Sequence, residues 1–328
     1  MTVHYQLENL PDFINAVITI GTFDGVHTGH QQIIKQLIEE AKNVNGESII
    51  ITFHPHPRKI LGASKEIKLI NTIEEKIELL AAKGIDHLVV IPFTEKFSQQ
   101  TAEEYINDFL VAKFHPHTII IGYDHRFGQG RKGDYHLMED FCERCNYRLL
   151  EIPAHVLNAV SVSSTRIREA IINADISTAN TLLGYDFFFE GLIVEGKKLG
   201  RTIGYPTANL KIINEEKLVP GNGVYAVELF IVNGELSLMN KENVGINNSQ
   251  SIFYKAMMNI GNRPTVNGTS TTIEVNIFDF NEDIYGKTIR VFIKKHLRAE
   301  QKFNGLDALK EQLAKDKLNA IESLTDGL

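Results

Sequence analysis

Two histidines and three glycines are spaced through the segment Gly21-Thr-Phe-Asp-Gly-Val-His-Thr-Gly-His30. The apolar run Ala16–Ile20 precedes them. Gln31–Asn43 follows, with Ile33, Ile34, Leu37, Ile38 and Ala41 at helical spacing. Strand, turn and helix in that order set free helix N–H groups beside imidazoles that can donate, which is chemistry for a phosphate. Glycines let the backbone approach the anion. Thr28 and Gln31 fit a capping box, so the helix is predicted to begin inside the motif. A metal reading through His27, His30, His54 and His56 lacks the carboxylate or thiolate set of a tetrahedral site.

Three further stretches of the first half carry polar chemistry. In Thr52-Phe-His-Pro-His-Pro57 each proline biases its preceding histidine to an extended form, and a plain loop serves the pattern equally well. Gly122–Gly133 carries Arg126, Arg131 and Lys132, which suggest a basic loop over phosphates. Its Gly128-x-Gly130-x-x-Gly133 imitates a dinucleotide fingerprint, with Glu151 near the acidic distance. That fingerprint wants an immediate turn after the strand, and here residues 123–127 intervene. In Val162-Ser-Ser-Thr-Arg-Ile-Arg168, Ser163 or Ser164 can cap a helix whose N–H groups, with Arg168, make a second anion site.

The second half offers Gly196-Lys-Lys-Leu-Gly-Arg-Thr-Ile-Gly-Tyr-Pro-Thr-Ala-Asn209. Glycines alone would suit a flexible hairpin. Thr207 and Asn209 alternate across Ala208, so an extended strand points both to one side. Two neutral oxygen ligands beside phosphates suit Mg2+, which keeps several waters and few protein ligands. In Thr272–Phe278, Ile273, Val275 and Ile277 share one face, while Glu274 and Asn276 share the other. A glutamate there is either a solvated face residue or, close to Thr207, Asn209 and a bound hydroxyl, a general base.

The elements that must position these residues divide the chain. The first half alternates apolar strands (16–20, 48–53, 87–91, 118–122, 147–152) with helices (31–43, 73–83, 101–113, 135–146, 165–172). This predicts an α/β doubly wound domain on a parallel sheet, with ligands at the carboxyl ends of the strands. Character changes near Gly184. Short strands then follow at 187–194, 223–232, 255–259, 272–280 and 288–295, and Leu306, Leu309, Leu313 and Ile321 mark a C-terminal helix. An antiparallel β-barrel is predicted there, so the domains are drawn at 1–184 and 185–328.

Length and composition agree with two cores in 328 residues. A net charge of −7 argues against nucleic-acid binding by bulk charge. Cys142 and Cys145 lie in a helical stretch without a second pair, which favours packing over redox or zinc chemistry. Low cysteine use, a polar Met1–Pro11 and the lack of a run of transmembrane length predict a cytoplasmic protein without membrane partners. Asn248 and Asn267 open glycosylation-like triplets that carry no weight in such a setting. The sequence carries no signal for an oligomeric state.

Together these motifs resemble nucleotidyltransferases with an His-x-Gly-His motif. The wording of Gly21–His30 with Val162–Arg168 resembles the adenylyltransferase module of bacterial bifunctional riboflavin kinase/FAD synthetases. The second half resembles the riboflavin kinase family in Gly200–Asn209, Gly223–Ala226, Asn259–Thr265, Glu274–Asn276 and Leu297–Phe303. The resemblance implies conversion of riboflavin and ATP to FMN, then of FMN and ATP to FAD and pyrophosphate. It assigns ATP phosphates in the first module to Gly21, Phe23, Asp24, Gly25, His27, Gly29, His30, Ser163, Ser164, Thr165 and Arg168. In the second it assigns them to Gly196, Lys198, Gly200, Arg201, Gly204, Thr207 and Asn209. Thr207 and Asn209 would hold Mg2+, Glu274 would be the base, and Asp124, Arg298 and Phe303 would meet flavin. Asn276 stands where the family often has histidine. The rival readings are a dinucleotide-dependent oxidoreductase built on Gly128–Gly133 and a non-catalytic flavin- or nucleotide-binding regulator.

Overall fold

The computed structural model describes residues 1–62, 67–123, 125–152, 162–196, 200, 203–232, 252–265 and 268–325, with side chains described outside 263–270. Asp124, Lys198 and Arg201, together with Asn248 and Asn267, lie outside the described residues. Contacts divide the chain into two compact units, with the boundary between Ser164 and Thr165.

The first unit is built on a six-stranded parallel sheet in the order β1-β4-β3-β2-β5-β6. Its strands are β1 (Thr2–His4), β2 (Val17–Ile20), β3 (Ser48–His54), β4 (His87–Pro92), β5 (Thr118–Gly122) and β6 (Arg148–Ile152). β2 and the first six residues of β3 are buried on both faces, as parallel strands under helices must be. From β2 the chain steps outward through β3 to β4, then returns to lay β5 on the other side of β2. The turn after β2 therefore sits at the switch in strand order, where such sheets open a crevice. The short edge strand β1 adds to the five strands foreseen in the sequence. The 101–113 helix is present as 102–114, but Tyr105–Val111 is wound as a wider π turn, which stacks Tyr105 on Phe127. Cys142 and Cys145 are free thiols packed against the core, as the packing reading expected.

The second unit is a closed antiparallel barrel in the order β10-β11-β8-β7-β12-β9. Its strands are β7 (Phe188–Val194), β8 (Ala208–Ile212), β9 (Gly223–Val232), β10 (Tyr254–Thr265), β11 (Gly268–Ile277) and β12 (Thr288–Arg298). Closure removes the edges that short strands would otherwise expose. The helix Leu306–Ser323 packs on β9, β10 and β12. Its seated face differs from the leucine stripe expected. Leu306 and Ile321 are exposed, whereas Leu313, Asp316, Ala320 and the following Leu324 turn inward. The reason is electrostatic: Arg298, at the end of β12, draws the buried Asp316 to it through Nη2–Oδ2 at 2.7 Å and Nε–Oδ1 at 2.9 Å.

Candidate active sites in the two units

The turn after β2 is tightly wound. Phe23, Gly25 and Val26 all take positive φ, at 47°, 90° and 37°, and two of these residues carry side chains that disfavour it. Strain of this kind persists where surrounding contacts hold it, and five hydrogen bonds do so here. Ser164 Oγ donates to Asp24 O at 2.9 Å, and Thr52 Oγ1 donates to Thr22 O at 3.1 Å. Asp24 Oδ1 accepts from Ile70 N and Asn71 N at 3.0 and 3.2 Å. Lys76 Nζ donates to Thr22 O at 2.7 Å.

The helix α1 (Thr28–Asn43) begins inside the motif, but its cap corrects the sequence reading. His27 is the N-cap: its Nδ1 accepts from His30 N at 3.3 Å. Thr28 is the first helical residue, and Gln31 Nε2 instead donates to Val26 O. An imidazole that accepts at Nδ1 carries its proton on Nε2, so the neutral His27 ring presents one defined donor. Burial pushes His27 down to about 4, with Asp24 acting against that drop. The His27 and His30 rings stack with centroids 3.6 Å apart. Burial, then His27, then Lys76 lower His30 well below the ordinary histidine range. His30 Nδ1 is buried without a hydrogen-bond partner, and the Phe23 ring lies against the His30 ring at 4.9 Å between centroids. A Cβ on Gly29 would stand 3.3 Å from the His27 ring, so glycine there leaves the imidazole room.

The elements singled out in the first half do not all converge. Ser164 is in the first turn of the helix Ser164–Ile172, its hydroxyl spent on Asp24 O rather than on a cap. Ser163 precedes that helix; the exposed Thr165 and half-buried Arg168 follow on it. Asp24 is buried, and its carboxylate receives backbone N–H groups of the Ile70–Asn71 segment, so its contribution to an anion site is the shape of the turn, not a ligand. His56 accepts from Arg58 N and caps the turn Pro57–Ile60. Among the described residues there is no group of three or more His, Cys, Asp or Glu arranged for a metal. Gly128–Gly133 is a closed hairpin bridged at Phe127 and Gly133, with Arg126 paired to Asp134 at 2.6 Å. A Cβ on Gly128 would stand 2.8 Å from Ala102. Gly128 and Gly133 thus serve packing, and only a short 3-10 turn (Gln129–Arg131) lies between them in place of the α-helix that a dinucleotide fingerprint requires.

In the barrel, strand register joins what the sequence left apart. Glu274 on β11 stands directly opposite Asn209 on β8 and opposite Asn259 on β10. Directly opposed residues of antiparallel strands share a face, so three polar side chains form one row across three strands. Ile273, Val275 and Ile277 are buried, as the alternation foretold. Asn276 is buried too: its Nδ2 donates to Pro206 O at 2.7 Å and tethers the entry to β8. Gly196 lies against the Asn209 carboxamide, and a Cβ on Gly200 would stand 3.3 Å from Thr207 Oγ1. Tyr205 N donates to Gly200 O at 2.8 Å, and Gly204 turns at φ 85°. Gly196 and Gly200 thus pack directly against the Tyr205–Asn209 segment, where a side chain on either would collide.

A Cβ at Gly196 would collide with Asn209. Gly196→Ala is therefore expected to displace the Asn209 side chain and, if the kinase activity that the resemblance implies runs through Asn209, to lower it by about 100-fold, the scale set by small misplacements in a reacting site. Steady-state assays on the purified variant, with the melting temperature alongside, check this. Wild-type turnover would show that Asn209 need not hold its place.

Arg298 is occupied. Beyond its fork on Asp316, Nη1 donates to Ala299 O at 3.0 Å, and its guanidinium lies 5.7 Å from the Phe303 ring centre. The residue that sequence reasoning missed in the first unit is Lys76. A lysine in the amphipathic stretch Ile73–Ala81 reads as solvated, yet it is buried.

A histidine- and glycine-bearing turn at the switch point of a parallel sheet, followed by a barrel carrying a carboxylate and neutral oxygen donors close to Gly196 and Gly200, fits a transferase with two phosphate-handling modules. Residues 11–166 match the FAD synthetase family, and residues 183–324 match the riboflavin kinase family. The chain is 36% identical over 306 residues to the bifunctional riboflavin kinase/FMN adenylyltransferase of Escherichia coli (strain K12), covering 93% of this chain and 92% of that protein. The protein of the same name from Bacillus subtilis (strain 168) is 36% identical over 311 residues, with the same coverage of 93% and 92%. A crystal structure described as a macrolide-efflux protein from Streptococcus pneumoniae is similar with a TM-score of 0.83 and 30% identity, covering 96% of this chain and 97% of that one. The chain belongs to the bifunctional riboflavin kinase/FMN adenylyltransferase family. Efflux is said of the pneumococcal protein alone; among the described residues no helix is long and apolar enough to cross a membrane.

Proposed function

We propose that this chain makes FMN and then FAD: the barrel unit phosphorylates riboflavin with ATP, and the parallel-sheet unit adenylylates FMN with a second ATP. The observation that carries the reading is the row Asn209–Glu274–Asn259 beside the Gly196–Gly200 loop, together with the His27–His30 turn at the switch point.

For the kinase step, the ribityl 5′-hydroxyl attacks the γ-phosphorus of ATP, ADP leaves, and Glu274 takes the hydroxyl proton. Gly196, Lys198, Gly200, Arg201 and Gly204 would close on the phosphates. The donor set fits Mg2+: a hydroxyl and a carboxamide oxygen, approached so closely by Gly196 and Gly200 that a side chain at either would collide. Thr207 and Asn209 would hold the ion, which supplies charge neutralisation at the transferred phosphate when bound. Asn276 keeps the Pro206–Thr207 entry in register. Phe303 would offer a ring face to flavin, braced by Arg298, and Asp124 would meet flavin in the other module.

For the adenylyl step, an FMN phosphate oxygen attacks the α-phosphorus and pyrophosphate leaves. No protein nucleophile is needed, so catalysis is positioning plus neutralisation of charge on the phosphates. His27 through Nε2–H, His30 and the N-terminus of α1 would hold the triphosphate. Ser163, Ser164, Thr165 and Arg168 would hold the departing end. Gly21, Phe23, Gly25 and Gly29 shape the turn, and Asp24 braces it. The modules are drawn at 1–184 and 185–328, and the chain works in the cytoplasm, where ATP is abundant.

The test is a time course with the purified, flavin-free protein, riboflavin, ATP and Mg2+, resolved by chromatography. FMN followed by FAD is the expected result. FMN without FAD, even from added FMN, would overturn the role given to His27 and His30. No product from either flavin with the protein folded would favour a binding protein without chemistry.

A further inference from the structure

Lys76 is a buried cation that neither phosphate reaction requires on its face, and it sits against the strained turn. The helix that carries it, Ile73–Ala81, is fixed by a full capping box: Thr72 Oγ1 accepts from Glu75 N at 3.3 Å, and Glu75 Oε2 accepts from Thr72 N at 3.1 Å. That cap orients the next residue inward. Lys76 is 6% exposed, with Nζ 2.7 Å from Thr22 O and 3.5 Å from Thr52 Oγ1. Thr52 Oγ1 donates to the same Thr22 carbonyl, so one oxygen of the turn is gripped from both β3 and the helix.

Burying an ammonium is expensive, and a methionine of similar volume would fill the slot without charge. A charge kept there has something to act on. Asp24, 1% exposed, is the carboxylate that offsets it. The titratable groups that act on it are Asp24 of the turn and His30 of α1, while the neighbouring Glu75 of the lysine's own helix is engaged at Thr72. β3 contributes the neutral Thr52. The field of Lys76 reaches His30 and helps keep that imidazole uncharged before substrate arrives.

We propose that Lys76 is a positioning residue for the adenylyl-transfer site, clamping the Thr22 carbonyl of the turn that carries His27 and His30. The inference rests on the function proposed above and adds a residue to it. Burial pushes the ammonium down to about 8, with Asp24 acting against that drop. Raising pH through that value removes the charge and weakens the clamp.

The test uses the full chain with Lys76→Met and Lys76→Arg. Three readouts are taken: kcat and KM for FMN adenylylation from pH 6.5 to 9.5, riboflavin phosphorylation, and the NMR titration of His30 without substrate. Lys76→Met is expected to lose about 10–100-fold in kcat at pH 7.5, on the scale of small misplacements. It should leave phosphorylation unchanged and raise the His30 midpoint. The native chain should show an alkaline fall in adenylylation near pH 8 that Lys76→Met lacks and Lys76→Arg moves upward. Native kcat, KM and His30 titration in Lys76→Met would overturn the proposal. So would a loss of activity with an unshifted His30 midpoint and an unaltered pH profile, which would make Lys76 a packing residue. The histidine titration needs no turnover, so failure of the native chain to make FAD would sink the functional reading separately.

Discussion

Glu274→Gln is expected to lower FMN formation by about 100- to 10,000-fold, the range that general-base catalysis contributes. The substitution keeps the size and one hydrogen-bonding oxygen of the side chain but removes its capacity to take a proton. Register makes this a sharp test. Glu274 is flanked by Asn209 and Asn259 in one cross-strand row, with neither neighbour able to act as a base in its place. Ile273 and Val275 on either side are buried, so the strand cannot slip by one residue to present another group without turning its apolar face outward. KM for riboflavin should change little, because an amide of the same shape holds the same position. Conversion of added FMN to FAD by the same preparation should proceed at the native rate, since His27, His30 and Ser164 lie in the other unit. Native FMN formation in this variant would remove Glu274 from the chemistry.

How much of this was legible before any coordinates depended on the range over which each signal acts. Strands such as Ser48–His54 and Thr118–Gly122 announced themselves because both faces are buried, which writes a continuous apolar run into the sequence. β11 was legible for the opposite reason: its strict alternation put Ile273, Val275 and Ile277 inside. The three-residue β1 is too short for any period. The proximity of Glu274 to Asn209 required register, which sequence periodicity does not supply across strands. Local chemistry misled at one point. Thr28 has the usual residue type for an N-cap, but the ring nitrogen of His27 takes the His30 N–H instead and brings the helix start one residue earlier, to Thr28. Lys76 and Asp316 were hidden because a charged residue on a helix is ordinarily solvated. Each is buried here beside an opposite charge that comes from a distant part of the chain, Asp24 and Arg298 respectively.

His30→Ala is expected to reduce FAD formation from added FMN by about 100- to 1,000-fold, the effect of deleting one preorganised donor at a site of developing charge. His27 and His30 act as a unit. Their rings stack at 3.6 Å, and two imidazolium ions at that separation would repel strongly. Before substrate the pair is neutral, with His27 committed through Nδ1 to the His30 N–H and its Nε2–H directed by that commitment. A triphosphate arriving at the turn supplies the negative charge that makes a proton on His30 favourable, so positive charge is drawn in with the anion instead of being buried without it. Alanine at position 30 keeps α1 intact, because its backbone N–H still donates to His27 Nδ1. It removes the second donor and the ring that fixes the first. The loss should therefore fall on both kcat and KM for ATP in adenylylation, while riboflavin phosphorylation and the circular dichroism spectrum stay native. An unchanged rate of FAD formation would mean that the helix N-terminus and the glycine turn hold the triphosphate without the imidazoles, leaving the stacked pair a role in shaping the turn alone.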